Sequence, residues 1–212
     1  MAETIGIEDI DRMIRSAAHK IRANRDELSK LDSAIGDGDH GTTIARAMGI
    51  AEKVIAESEK KDLKGLLKDV GWGVMGVDGG ATGPLLGSFL MGLGNGLGEQ
   101  ETIDCPTLAA MFEAGLAGVR RQSKAQVGDK TMMDSLLPAV DAIRQAADEG
   151  KSIEEALQKA AEAAENGAVS TKEFKARFGR AKNLGERTIG FQDPGATSMA
   201  LIFRGFLDGL SR

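Results

Sequence analysis

Apolar side chains recur every three to four residues along most of this 212-residue chain, which is the period of a helix that buries one face. The first such stripe begins at Ile7, and its helix is predicted to run to Ser29. Seven more helices are predicted to begin near positions 44, 63, 84, 105, 130, 153 and 195. No run alternates between apolar and polar positions as a half-buried strand would. The pattern therefore predicts an all-α fold, with about eight antiparallel helices in a single domain over residues 1–212.

Two of these helices carry capping signals at their predicted starts. Asp104 precedes Pro106, as an N-cap residue precedes a first-turn proline. Ser152 and Glu155 have the spacing of a capping box. Both signals place helix starts just after the polar residue.

Composition and charge exclude several classes of protein. The chain has 27 basic and 32 acidic residues, a net charge of −5, which disfavours a surface for nucleic acid. Its one cysteine, Cys105, allows no internal disulfide, and its N-terminus lacks the order of a signal peptide, so we expect a cytoplasmic protein. Residues 79–98 are uncharged over the length of a membrane span. Eight glycines dilute this segment, however, and we predict a buried helix with no membrane association.

Three connections are long, polar and rich in glycine: residues 32–43, 123–131 and 170–195. Such loops on a rigid helical scaffold are where binding and catalytic residues concentrate.

The first of these loops carries three aspartates, Asp32, Asp37 and Asp39, in the sequence LDSAIGDGDHG. Carboxylates that converge at one turn repel each other, and a bound cation relieves that repulsion. Oxygen ligands favour magnesium, calcium or manganese. An EF-hand is excluded because Gly41 and Met48 occupy positions that need oxygen ligands, and an aspartyl-phosphate hydrolase would need a preceding strand. A solvated turn that caps the next helix is the remaining alternative.

Magnesium in proteins usually shares its coordination sphere with phosphate oxygens, so the aspartates predict a phosphate-bearing ligand. Three further glycine-rich or polar turns stand at predicted helix starts: DGGATGP at 78–84, VGDKTMMD at 127–134 and GFQDPGATS at 190–198. Helix N-termini bind anions through free N–H groups and the helix dipole. A glycine-lined helix contact would explain residues 78–84 equally well. Together, however, the four turns indicate several helix N-termini that converge on one anion.

In their order and spacing, LDSAIGDGDHG, GGATGPLLG, GDKTMMD and LGERTIGFQDPGATS resemble the nucleotide-binding subunit of dihydroxyacetone kinase, the DhaL family, over essentially the whole chain. The resemblance implies a barrel of eight antiparallel helices that holds ADP or ATP and two Mg²⁺ ions in the loops at one end.

The resemblance also implies roles for particular residues. The metal ligands would be Asp32, Asp37 and Asp39. Contacts to the phosphates would come from His40, Gly41, Thr42, Thr43, Ala81 and Thr82. Met132 would border the adenine, and Asp193, Pro194 and Gly195 would close the pocket. Arg180 would act as a cationic lid and, with His40, as a catalytic residue, although a surface arginine in a basic loop is the simpler alternative.

The same resemblance implies protein partners and a phosphoryl donor. In this family the ketone is held covalently on a histidine of a separate DhaK-type subunit, which this chain does not contain. The donor is either ADP recharged by a DhaM-type phosphocarrier of the phosphotransferase system, or ATP. The ketose is dihydroxyacetone or a relative such as erythrulose. A nucleotide-binding regulator that contacts a transcription factor, and a helical scaffold without ligand, are the rival hypotheses.

Overall fold

A computed structural model describes residues 4–59 and 62–211, and within them every secondary-structure element longer than one residue is a helix. The α-helices are α1 (Ile7–Ala23), α2 (Arg25–Ile35), α3 (His40–Glu57), α4 (Leu63–Met75), α5 (Thr82–Gly96), α6 (Cys105–Gln122), α7 (Met133–Asp148), α8 (Ile153–Ser170) and α9 (Pro194–Leu210). Two 3₁₀ helices, Thr171–Glu173 and Arg180–Thr188, lie between α8 and α9. The only β pairing in the described residues is an isolated bridge between Ile5 and Ile103. The predicted all-α class is confirmed.

Eight of the helices form a closed ring. Starting from α1, each packs against the next in the order α1, α3, α4, α5, α6, α7, α8 and α9, and α9 packs back against α1. Side chains from all of them meet in one hydrophobic core, where the rings of Phe112 and Phe203 lie 5.5 Å apart. Helix α2 lies outside this ring, against α3 and α9.

The predicted first helix is in fact two helices, and this is a correction to the sequence analysis. Helix α1 ends at Ala23, and α2 begins at Arg25. The Asn24 side chain donates to the carbonyl of Lys20 at 2.9 Å, and its backbone leaves helical geometry. A polar side chain that competes for a helix carbonyl in this way interrupts the ladder. The break frees α2 to carry Asp32, in its last turn, to the loop that follows.

The predicted caps are present. The Asp104 carboxylate accepts the N–H of Thr107 at 2.8 Å, and Ser152 and Glu155 form the reciprocal capping box. Asp193 caps α9 in the same way by accepting the N–H of Ala196 at 2.7 Å.

The uncharged segment is a buried helix, α5, as predicted. Its glycines allow unusually close helix contacts: a Cβ at Gly92 would lie 2.5 Å from the carbonyl oxygen of Ala114 on α6. A Cβ at Gly87 would lie 2.6 Å from the carbonyl oxygen of Gly71 on α4. Among the described residues, no helix is both long enough and apolar enough to cross a membrane.

Candidate nucleotide and metal site

One end of the ring contains a cavity of about 570 Å³. The C-terminus of α2 and the N-termini of α3, α5, α7 and α9 all contribute residues to its wall. The first N–H groups of each helix have no partner within that helix, so four N-termini at one cavity create a site of positive potential. The convergence predicted from the four turns is therefore present in the structure.

The three aspartates form a cluster at the cavity mouth. Asp32, Asp37 and Asp39 each present one carboxylate oxygen within 4.8 Å of the other two. The Asp32 carboxylate also accepts the N–H of His40 at 3.1 Å, which ties the end of α2 to the start of α3. Gly38, at φ +80°, turns the chain between the two exposed aspartates. Three oxygen donors at this separation fit a hard cation such as Mg²⁺.

Arg180 lies over the aspartate cluster. Its Nη1 makes an ion pair with the carboxylate of Asp37 and lies 3.5 Å from that of Asp39. Its side chain is 58% exposed, so solvent screens both contacts. The residue that was predicted to act as a cationic lid is thus held beside the predicted metal ligands.

His40 connects three helix starts. Its Nε2 lies 3.0 Å from the hydroxyl of Ser198 on α9, and its Nδ1 lies 3.5 Å from the hydroxyl of Thr82 on α5. Burial lowers the pKa of the His40 imidazole, while the charge of Asp32 and the backbone of Pro194 oppose that change. A neutral ring can donate from one nitrogen and accept at the other, which suits a residue between two hydroxyls.

The turn before α7 places a buried lysine at the cavity. The Asp134 carboxylate accepts the N–H groups of Gly128 at 2.6 Å and Thr131 at 2.7 Å, and so fixes the turn. Lys130 adopts a left-handed φ of +60° in it and is only 1% exposed. Its Nζ donates to the carbonyls of Thr171 and Phe191.

Asp193 lies close to this lysine and is buried at the start of α9. Burial raises the pKa of the Asp193 carboxyl to about 7; the Ala196 N–H and the Lys130 ammonium oppose the rise, whereas the Asp134 carboxylate adds to it. Burial likewise lowers the pKa of the Lys130 ammonium.

Most of the predicted site residues line the cavity: Asp32, Asp37, Asp39, His40, Ala81, Thr82, Met132, Arg180, Asp193, Pro194 and Gly195. Gly41, Thr42 and Thr43 do not. A Cβ at Gly41 would lie 2.0 Å from the carbonyl oxygen of Arg25, so this residue serves the contact between α3 and α2. Thr42 is exposed, and the Thr43 side chain packs against Gly79. Their contact with phosphates stays a prediction.

Several polar residues of the cavity wall were not predicted as site residues, and Lys130 and Ser198 are two of them. Ser198 lies one turn into α9. Its position three residues after Gly195, on the same side of the helix, is the sequence signal that could have identified it as a wall residue. Nothing in the local sequence signals that Lys130 is buried, because its partners are 41 and 61 residues away.

Comparisons with known proteins identify the family of this chain. The DAK2 domain family matches residues 34–208. The PEP-dependent dihydroxyacetone kinase 1, ADP-binding subunit DhaL, of Listeria innocua is 39% identical over 196 residues, 92% of this chain and 93% of the relative. The ADP-binding subunit DhaL of the PEP-dependent dihydroxyacetone kinase of Escherichia coli is 40% identical over 178 residues, 84% of each chain.

A crystal structure of the dihydroxyacetone kinase of C. freundii superposes on 94% of this chain with a TM-score of 0.72 and 25% identity. The present chain covers 34% of that larger chain, about a third of its length. This chain therefore belongs to the DAK2 domain family and, within it, to the DhaL subunits.

Proposed function

We propose that this chain is the nucleotide-binding, phosphoryl-transfer subunit of a dihydroxyacetone kinase, and that it holds ADP or ATP in the cavity with Mg²⁺. The observation that carries the proposal is the convergence of four helix N-termini, three carboxylates and one arginine on a single cavity. The DhaL relatives, which are named as ADP-binding subunits, support the choice of nucleotide.

The carboxylates of Asp32, Asp37 and Asp39 would hold two Mg²⁺ ions. When bound, the ions would neutralise the charge of the nucleotide phosphates. The N-termini of α3 and α5 would direct N–H groups to the same phosphates; on α3 these are the groups that follow His40, whose own N–H is donated to Asp32. Apolar residues of the wall, Met132 and Leu85 among them, offer a surface for the base.

Two side chains are proposed to act during transfer. Arg180 would leave its ion pair with Asp37 and stabilise the charge that develops on the transferred phosphoryl group. His40, kept neutral by burial, would donate a hydrogen bond from one ring nitrogen while Ser198 or Thr82 fixes the ring. In phosphoryl transfer the protein mainly positions groups and compensates charge, and this is the role proposed for Arg180 and His40.

The acceptor must be held elsewhere. The chain has two histidines: His40 lies inside the nucleotide site, and His19 lies on the exposed side of α1 and does not line the cavity. Neither is therefore placed to hold a ketone beside the transferred phosphoryl group. We propose a separate DhaK-type subunit for that role. A DhaM-type phosphocarrier would recharge bound ADP, as the PEP-dependent naming of the relatives suggests. Exchange with ATP, action on another ketose such as erythrulose, and a regulatory contact with a transcription factor stay the alternatives, as does the prediction of a cytoplasmic location.

Binding is tested by titrating Mg²⁺ and ADP into the chain in a calorimeter. Asp37→Asn and Asp39→Asn should each abolish Mg²⁺-dependent ADP binding with the helical circular dichroism retained. Asp26→Asn is the matched control, because Asp26 is 87% exposed on α2 and pairs only with its neighbour Arg25 among the ion pairs of the described residues. Equal ADP affinity in all four proteins would refute the metal site.

Turnover is tested by adding a DhaK-type subunit and dihydroxyacetone. Product formation with ATP alone would identify ATP as the donor. Product that requires a phosphocarrier, with ADP retained on the chain, would identify the phosphotransferase route. If ADP binds but neither donor gives product, the regulatory alternative is favoured.

A further inference from the structure

The segment that carries Arg180 has little packing of its own. Within residues 172–190, all of which the structure describes, Ala176 and Thr188 are buried, while most side chains are exposed. The exposed set includes Phe178 and Ile189, at 36% and 49% of their surface. A segment with so few buried contacts takes its position from its attachment points.

The two ends of this segment are hydrogen-bonded to each other; we call this junction, formed by Thr171, Lys172, Gly190 and Asp193, the neck. The Gly190 N–H donates to the carbonyl of Lys172 at 2.7 Å, and the Asp193 N–H donates to the hydroxyl of Thr171 at 2.9 Å. These bonds close the loop on itself. Apart from the contact between the 3₁₀ helix Arg180–Thr188 and α2, the closed loop needs an attachment at its ends that fixes it relative to the aspartate cluster.

Lys130 supplies that attachment from a different element. Its ammonium donates to the carbonyl of Thr171 at one end of the segment and to the carbonyl of Phe191 at the other. A second, more superficial tie comes from the same turn, where the carbonyl of Asp129 accepts the Arg177 N–H at 3.1 Å. The turn before α7 therefore holds both ends of the segment.

The free-energy cost of burying the charged Lys130 side chain indicates what this residue does. An ammonium removed from water is expensive, and an apolar side chain of similar size usually serves stability as well or better. Here the cost is offset by two carbonyl acceptors and by the nearby carboxylates of Asp134 and Asp193. The Lys130 ammonium is costly to bury and bonds both ends of one loop. Its presence is therefore better explained by the positioning of that loop than by stabilisation of the fold.

We propose that Lys130 is a positioning residue, which ties both ends of segment 172–190 to the start of α7 and thereby holds Arg180 beside Asp37 and Asp39. The link from this placement to the rate of phosphoryl transfer rests on the proposed function. The placement itself does not, because it concerns contacts within the chain.

Hydrogen exchange measured by mass spectrometry tests the placement without nucleotide. In Lys130→Met, amides of residues 172–190 should exchange at least about tenfold faster, and those of α5 and α6 at unchanged rates. Lys172→Met is the matched control, since it removes an exposed lysine from the neck itself and should leave protection as in the parent. Unchanged protection in a folded Lys130→Met would overturn the proposal. If that variant does not fold, Lys130→Gln, which keeps a donor for a carbonyl, should show the same change to a smaller extent.

A double-mutant cycle tests whether Lys130 acts through Arg180. Lys130→Met should slow transfer in the parent and cause no further loss in Arg180→Ala, with the affinity for Mg-ADP kept within about twofold. Independent, additive losses would overturn the proposal. A loss of ADP affinity as large as the loss of rate would also overturn it, by showing that Lys130 contacts the phosphates. If the parent binds no ADP, the proposed function fails, and the exchange experiment still decides the role of Lys130.

Discussion

Replacing Arg180 with alanine should tighten the binding of Mg²⁺ to the nucleotide-free chain while it slows transfer. The guanidinium pairs with Asp37, lies 3.5 Å from Asp39 and adds positive charge beside the proposed metal ligands. Mg²⁺ must displace this pair, so the pair opposes metal binding. Removal of the arginine should therefore favour the ion.

The size of the effect follows from the exposure of the pair. Two unit charges about 4 Å apart interact by about 1 kcal/mol in water, and exposed ion pairs are worth up to about 1 kcal/mol. With Arg180 58% exposed, the pair belongs to this class. Since 1.4 kcal/mol is tenfold in an equilibrium constant, about 1 kcal/mol corresponds to a Kd for Mg²⁺ that is about fivefold lower in Arg180→Ala.

The assay is calorimetric titration of Mg²⁺ at low ionic strength, repeated at high salt, where screening should shrink the difference. Arg177→Ala is the matched control: this arginine lies in the same segment, is 71% exposed and pairs with Asp129 instead, at 3.5 Å. Phosphoryl transfer by Arg180→Ala should fall by at least about a hundredfold, more than ADP affinity falls, because charge develops in the transfer step. An unchanged or weaker affinity for Mg²⁺ in Arg180→Ala would refute the competition.

Two further predictions concern stability. Gly205→Ala should destabilise the fold by about 2 kcal/mol in urea unfolding, because the new Cβ would lie 2.3 Å from the Cα of Ala17. Gly49→Ala, with no atom within 4 Å, should instead stabilise it by about 0.5–1 kcal/mol, and similar effects from both variants would contradict the close contact of α9 and α1. Because the pKa of Asp193 is raised to about 7 in the folded chain, this group stabilises the fold most at low pH, and its contribution is lost as the pH rises from about 4 to 7. Asp193→Asn, whose amide oxygen can still cap α9, should flatten this part of the stability profile, and an unchanged slope would show that another group is responsible.

The sequence predicted the parts of this structure that local chemistry determines. The apolar periodicity and the caps at Asp104 and Ser152 located the helices, and the spacing of the aspartates located the carboxylate cluster. The break at Asn24 was not predicted, because an asparagine in an amphipathic helix is compatible with a continuous helix and with a break. The break depends on the hydrogen bond from its side chain to the carbonyl of Lys20, which the sequence does not reveal. The burial of Lys130 was missed because its acceptors lie on a segment that only the closed ring of helices brings near.

The role of Gly41 shows the same limit. A glycine at a helix start beside aspartates is consistent with close approach to a phosphate, and equally with close approach to another helix. The structure shows the second contact, at the carbonyl of Arg25. Sequence alone cannot separate the two, because both need a position without a Cβ.

The meeting of four helix N-termini at one cavity also limits what mutagenesis can reveal. Apart from proline, every residue of a helix carries a backbone N–H group, and an alanine substitution leaves these groups and the helix dipole in place. An alanine scan of the cavity would therefore measure only the share of anion affinity that side chains supply. The remainder should persist as weak binding of inorganic phosphate or sulfate, even in variants that have lost all three aspartates.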